Sequence, residues 1–220
     1  MIIAIDGPSG AGKSTVSRGA AQEMGFTYID TGAMYRAVGL KATRSGISTT
    51  DEEAVSKMME DIKIDIRHID SCQHIFLDGQ DVSELIRTPE ISIAASNVSK
   101  IAAVREKMVE LQREIGKSRD TVMDGRDIGT KVFPNAEYKI FLTASAKTRA
   151  RRRYDELIKK GENVTFDDVL GDMILRDEND STRTLSPLRA ADDAKIIDTS
   201  SLTLKQSIDA VVSYVKGGKQ

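Results

Sequence analysis

The chain has 220 residues with 32 Lys and Arg against 34 Asp and Glu, and the resulting net charge of −2 gives no electrostatic case for DNA or RNA as a main partner. Only 5% of residues are aromatic and tryptophan is absent, which argues against the stacking platforms of single-strand binders. The one cysteine, Cys72, cannot form an internal disulfide, and no signal peptide or membrane-length apolar run is legible, so a cytoplasmic α/β protein with no membrane partner is expected.

The chain opens on an apolar run of strand length, Met1 to Ile5, ending at Asp6. GPSGAGKS, Gly7 to Ser14, follows it and fits Gly-x-x-x-x-Gly-Lys-Ser/Thr at every fixed position. A helix from Ser14 to Gly25 completes the order strand, loop, helix. Phosphate binding requires that order. Glycines let backbone N–H groups curl around a phosphate, and the helix N-terminus adds donors and partial positive charge. Gly7, Pro8, Ser9, Gly10, Ala11, Gly12, Lys13, Ser14 and Thr15 are therefore the expected nucleoside-triphosphate-binding residues. Lys13 would reach the β- and γ-phosphates, and the Ser14 hydroxyl would hold a Mg²⁺ ion.

A second strand, Phe26 to Ile29, leads to Asp30-Thr31-Gly32. Thr31 is expected to cap a helix over 33–44, placing Arg36 near the sheet edge where open α/β folds collect ligands. Thr50 is expected to cap the next helix, running to about Asp61. Ile62 to Arg67 then alternates apolar and polar, and Ile75 to Leu77 follows a polar turn. This pattern predicts a small antiparallel insertion, serving either the second substrate or stability alone. Thr88-Pro89 starts a helix that could run to Gly116, with Ile101, Val104, Met108, Leu111 and Ile115 as its buried stripe. Arg105 flanks the stripe. Spacing allows it to be a ligand-facing arginine or a solvated one paired with a glutamate.

Thr121 to Asp124 is a further strand, running into Gly125-Arg126-Asp127. A carboxylate at that strand end suits the waters around a Mg²⁺ ion, a role for Asp124. Strands at Lys139–Leu142 and Lys195–Asp198 and a closing helix from about Leu204 to Val215 complete the pattern. Between those strands, helices opened by Ser145 and Thr165 carry Arg149, Arg151, Arg152, Arg153, Arg176 and Arg183. Mobile arginines of this kind suit phosphoryl transfer, where charge spreads over the transferring oxygens once water is excluded.

Five stretches give the chain a family likeness: IDGPSGAGKST, DTGAMYR, DVSELIRT, DGRDIGT and RDENDSTR. With them it resembles the bacterial cytidylate kinases, within the nucleoside monophosphate kinases, over essentially its whole length. The first stretch is shared by many P-loop proteins. DGRDIGT and RTPEIS…VR, with the inserted β unit, are far more particular. The resemblance implies a P-loop nucleoside monophosphate kinase fold: a five-stranded parallel sheet flanked by helices, a small antiparallel insertion and a helical lid. It implies a single domain with a core of 1–30, 106–148 and 184–220, a monophosphate-binding region of 31–105, and a lid of 149–183. The implied reaction is phosphorylation of CMP and dCMP, with ATP as donor and Mg²⁺ as cofactor.

Residue by residue, the resemblance places Arg36 on the CMP phosphate beside Thr31, where some relatives have serine. It places Ser96, Arg105 and Asp127 at the cytosine edge, Arg126 and Arg176 on phosphate, and Asp180 on the ribose. Arg183 would close with the lid, helped by Arg149 or Arg153. No coiled-coil repeat or long apolar edge argues for assembly, so a monomer is expected. The rivals are a kinase for another small acceptor and a GTP-hydrolysing switch. The switch lacks an Asn-Lys-x-Asp guanine-reading motif and leaves the arginines unexplained.

Overall fold

A computed structural model describes residues 1–70, 72–117 and 119–218. The chain divides into two compact units, Met1–Tyr28 with Arg119–Gln220, and Ile29–Ser118. Its elements begin β1 (Ile2–Asp6), α1 (Lys13–Met24), β2 (Thr27–Asp30), α2 (Thr31–Arg44) and α3 (Glu52–Asp61). Then come β3 (Ile64–Ile69), β4 (Cys72–Leu77), β5 (Gln80–Asp81), α4 (Pro89–Val98) and α5 (Ala102–Gly116). The last are β6 (Thr121–Gly125), β7 (Tyr138–Thr143), α6 (Ala146–Lys159), α7 (Phe166–Thr182), β8 (Lys195–Asp198) and α8 (Leu204–Lys216).

The larger sheet has the order β2-β6-β1-β7-β8, so β1 is its central strand, hydrogen-bonded in parallel to β6 on one side and β7 on the other. A central parallel strand is covered on both faces, which is why Ile3, Ala4 and Ile5 read as an unbroken apolar run and are wholly buried. Val16, Ala20 and Ala21 of α1 join Ile140, Leu142, Val211 and Val215 in the same core. This core fixes the end of β1, and with it the start of the glycine-rich loop.

The second unit has its own core, in which α2, α4 and α5 contribute Met34, Val38, Ile91, Val98, Val104 and Met108. At Gly39 an added Cβ would stand 2.9 Å from both the Ala94 Cβ and the Ala95 nitrogen, so glycine permits the close approach of α2 and α4. The expected antiparallel insertion is present as a three-stranded sheet, β3-β4-β5, with register from Ile64↔Leu77 to Ile69↔Cys72. Ile75 and Leu77 anchor it in the unit's core. No helix among the described residues is long and apolar enough to cross a membrane.

Three local expectations are corrected. The N-cap of α2 is Asp30, whose carboxylate accepts from the Ala33 N–H at 3.1 Å, so Thr31 lies inside the first turn. Asp51, not Thr50, caps α3 and accepts from Ala54 N–H at 3.0 Å. In both cases an aspartate competes with a neighbouring threonine for the cap position, and both residue types suit it. The stretch from Pro89 to Gly116 is two helices rather than one. The Ser99 hydroxyl donates to the Ser96 carbonyl at 2.8 Å and Ile101 turns extended to bury its side chain, so the first helix ends without glycine or proline.

Candidate active site

Gly7 leaves β1 with φ of 150°, and a Cβ there would meet the Leu142 carbonyl oxygen at 2.0 Å. Only glycine lets the chain pass this close to β7 and enter the loop. Gly12, at φ 86°, then sets the first turn of α1, which begins at Lys13. The buried Lys13 ammonium donates to the Pro8 carbonyl at 2.8 Å. Burial, and then the nearby charge of Arg126, press its pKa well below the usual lysine value, against opposing pulls from Asp124 and Asp6. Arg176 adds to the crowding of positive charge. Burial thus leaves the ammonium short of solvation, which the oxygens of a triphosphate would supply.

At the end of β6, the Asp124 carboxylate accepts from the Ser14 hydroxyl at 3.2 Å and from the Tyr28 hydroxyl at 2.7 Å. A hydroxyl and a carboxylate in contact, both hard oxygen donors, fit an octahedral Mg²⁺ that keeps most of its waters. Asp6 closes the other side of the loop's origin. Its two carboxylate oxygens accept from Ile128 N–H at 2.8 Å and Gly129 N–H at 2.7 Å. These bonds hold the start of the short π-helical turn, Ile128–Val132, that directly follows Arg126 and Asp127. Burial raises the Asp6 carboxyl to about 7, with the two N–H bonds opposing the rise.

The arginines expected to form a lid occupy distinct positions. Arg149 is buried and makes a forked pair with Asp177 on α7, at 3.0 and 2.5 Å. The same guanidinium donates to the Ser9 carbonyl of the loop at 3.0 Å and to the Ala144 carbonyl at 2.8 Å. Arg126 donates through Nε to Asp180 at 3.1 Å. Arg153 pairs with Glu156 at 2.9 Å, and Arg183 Nε donates to the Ser186 carbonyl at 2.6 Å. Arg176 lies partly buried on α7. Arg152 reaches the Thr199 carbonyl at 2.7 Å and the Ala11 carbonyl at 3.5 Å. The structure therefore brings Arg149 and Arg152 to the phosphate loop's backbone.

In the second unit, Asp30 caps α2 and also faces Arg36 at 3.5 Å. Thr31 is buried between them in sequence. Arg105 is buried, 5.9 Å from the centre of the Tyr35 ring, and donates to the Ser99 carbonyl at 3.4 Å. Its solvated reading is thereby overturned. Ser96 lies half-buried on α4. A groove of about 530 Å³ against β3 and α5 contains none of these residues. Its wall is largely apolar, with Phe76, Met108 and Leu111 prominent.

A model of the cytidylate kinase family matches residues 3–217. The chain belongs to the cytidylate kinase family. It is 51% identical to a cytidylate kinase of Caldicellulosiruptor bescii, covering 96% of this chain and 93% of that protein. It is 46% identical to the cytidylate kinase of Bacillus subtilis, covering 98% and 96% respectively. Among solved structures, the shikimate kinase of Bacteroides thetaiotaomicron matches with a TM-score of 0.51 at 13% identity, over 99% of this chain and 97% of that one. This last likeness concerns the fold, that of a P-loop kinase.

Within this cytidylate kinase fold, three contacts were not foreseen from the residues. Asp6, Asp177 and Gln73 each hold a backbone or side chain of the site region from a distant part of the chain. Asp6 sits before the loop as the last polar residue of an apolar strand, and that was the one available signal. Nothing local marks Asp177 or Gln73, because their partners lie 28 and 43 residues away.

Proposed function

We propose that the two residue sets just described are the donor and acceptor halves of one phosphotransferase. The chain is an ATP-dependent CMP kinase of pyrimidine nucleotide metabolism, with ATP as phosphate donor. We further propose dCMP as a second acceptor, Mg²⁺ as the cofactor, and the following residue assignments. The observation that carries this reading is the state of Lys13: an ammonium stripped of solvent by burial and held on the loop's own carbonyl at the head of a helix. Such a site gains most from an anionic ligand.

In this reading the loop Gly7 to Thr15 wraps the triphosphate, and Lys13 swings from Pro8 to the β- and γ-oxygens. Mg²⁺ would be held by Ser14 and, through water, by Asp124, neutralising phosphate charge. Arg36 and Thr31 hold the CMP phosphate with Arg126 and Arg176. Asp180, which already orients Arg126, takes the ribose. The acceptor phosphate is ionised at neutral pH, so no strong general base is needed. Catalysis is positioning plus charge neutralisation, with Arg149, Arg153 and Arg183 available to the transferring group. Closure over the phosphates would keep water from taking the phosphoryl group.

Asp127, Arg105 and Ser96 read the base. Cytosine presents an amino donor at N4, which a carboxylate accepts. Uracil reverses the polarity at that edge and would leave buried groups unpaired. Changing Asp127→Asn is accordingly expected to lower the CMP-to-UMP ratio of kcat/KM by about 10- to 100-fold, with ATP affinity little changed. Steady-state kinetics with both acceptors at saturating ATP measure this. A defect confined to ATP would remove Asp127 from base recognition.

A further inference from the structure

Among the contacts that tie the antiparallel insertion to α2, one reaches the start of that helix. Gln73, on β4, sends its side-chain amide to the backbone of Asp30. Its carbonyl oxygen accepts from the Asp30 N–H at 2.7 Å, and its amino group donates to the Asp30 carbonyl at 3.1 Å. A side-chain amide paired with both polar groups of one residue fixes the peptide planes on either side of it.

Asp30 is the joint at which β2 becomes α2. Its remaining polar atoms are also engaged, one oxygen on the Ala33 N–H and the other facing Arg36. The next residue is Thr31, and Arg36 lies little more than a turn further along the helix. Gln73 is itself mounted on a rigid base. It pairs with His68 in the β3–β4 ladder, and Ile75 and Leu77 of the same strand are buried in the unit's core.

We propose that Gln73 is a positioning residue for the acceptor: through the Asp30 peptide it sets the placement of Thr31 and Arg36, and this is what the insertion contributes to the reaction. The inference rests on the reading that Thr31 and Arg36 hold the CMP phosphate. Removing the clamp leaves the residues present but loosens the joint that aims them, and a small misplacement of a binding group is costly. Water can replace both hydrogen bonds at this half-buried site, so the fold survives the loss.

The test compares Gln73→Met, which keeps the volume and removes both bonds, with Arg36→Ala and with the double variant. Gln73→Met is expected to raise the KM for CMP about tenfold, with the KM for ATP within about twofold of the parent and the melting temperature nearly unchanged. On the Arg36→Ala background the same change is expected to add little, because both act on one contact. If Arg36→Ala raises the CMP KM and Gln73→Met does not, the clamp has no role in acceptor binding. If Gln73→Met depresses melting temperature and both KM values together, its role is structural and the proposal fails. If Arg36→Ala leaves the CMP KM unchanged, the acceptor-site reading beneath the proposal fails first.

Discussion

Lys13→Ala is expected to lower kcat by about two to three orders of magnitude while the chain remains folded. The lysine is buried, and its ammonium donates to a loop carbonyl, that of Pro8, at 2.8 Å. It adds a desolvated positive charge beside Arg126 and Arg176. Removing it relieves the desolvation and the repulsion from the arginines but forfeits the attraction of Asp124 and Asp6, so the melting temperature should stay nearly level. The transferring phosphoryl group, by contrast, loses the one ammonium mounted at the head of α1. Turnover with CMP at saturating ATP, alongside a thermal melt, measures both effects. Activity within tenfold of the parent would remove Lys13 from the transfer step.

Gly7→Ala tests the loop's geometry rather than its charge. The added methyl would sit 2.0 Å from the Leu142 carbonyl oxygen, a backbone atom of the interior strand β7 that no rotamer change can move. The φ of 150° at Gly7 adds backbone strain for any L side chain. Relief must come from shifting the loop away from β7, and the N–H groups that would wrap the phosphates shift with it. A loss of roughly 2–4 kcal/mol in stability is expected from overpacking and strain together. At this chain length that corresponds to a fall of roughly 5–15 °C in melting temperature. The stabilising shift given by ATP in a melting experiment should largely disappear. An unchanged melt that still responds to ATP would contradict the close approach of Gly7 to β7.

The parts of the site that were legible in the residues are those set by local rules. A strand, a glycine-rich loop and a helix declare themselves through apolar runs, positive-φ glycines and Lys13 in fixed order. The insertion was legible because period-two alternation from Ile62 to Arg67 contrasts with the helices around it, and the structure places strand β3 at Ile64–Ile69. Helix caps at Asp30 and Asp51 were displaced by one residue because two adjacent side chains could each accept the same N–H groups. The break at Ser99 was hidden because it depends on burying Ile101, a tertiary gain that overrides an unbroken helical pattern.

Arg105 shows where spacing runs out. Its position beside an apolar stripe allowed either solvent or site, and its burial 5.9 Å from the Tyr35 ring rules out the solvated alternative. The ties made by Asp6 to Ile128 and Gly129 cross 122 and 123 residues, and the Arg149–Asp177 pair crosses 28. Such pairs carry no periodic signature, because each is created by the fold that it then stabilises. They are also the contacts that hold the site's loops in place, so sequence alone names the reacting groups more readily than the groups that aim them.

The choice of acceptor separates a CMP kinase most directly from its rivals. With the purified chain and Mg·ATP, ADP release is measured against CMP, dCMP, UMP, AMP and no acceptor. CMP and dCMP are expected to exceed UMP and AMP in kcat/KM by at least about a hundredfold, as a site built on base-edge hydrogen bonds should, with only very slow release when no acceptor is present. UMP or AMP equalling CMP, or release that proceeds as fast without any acceptor, would contradict it.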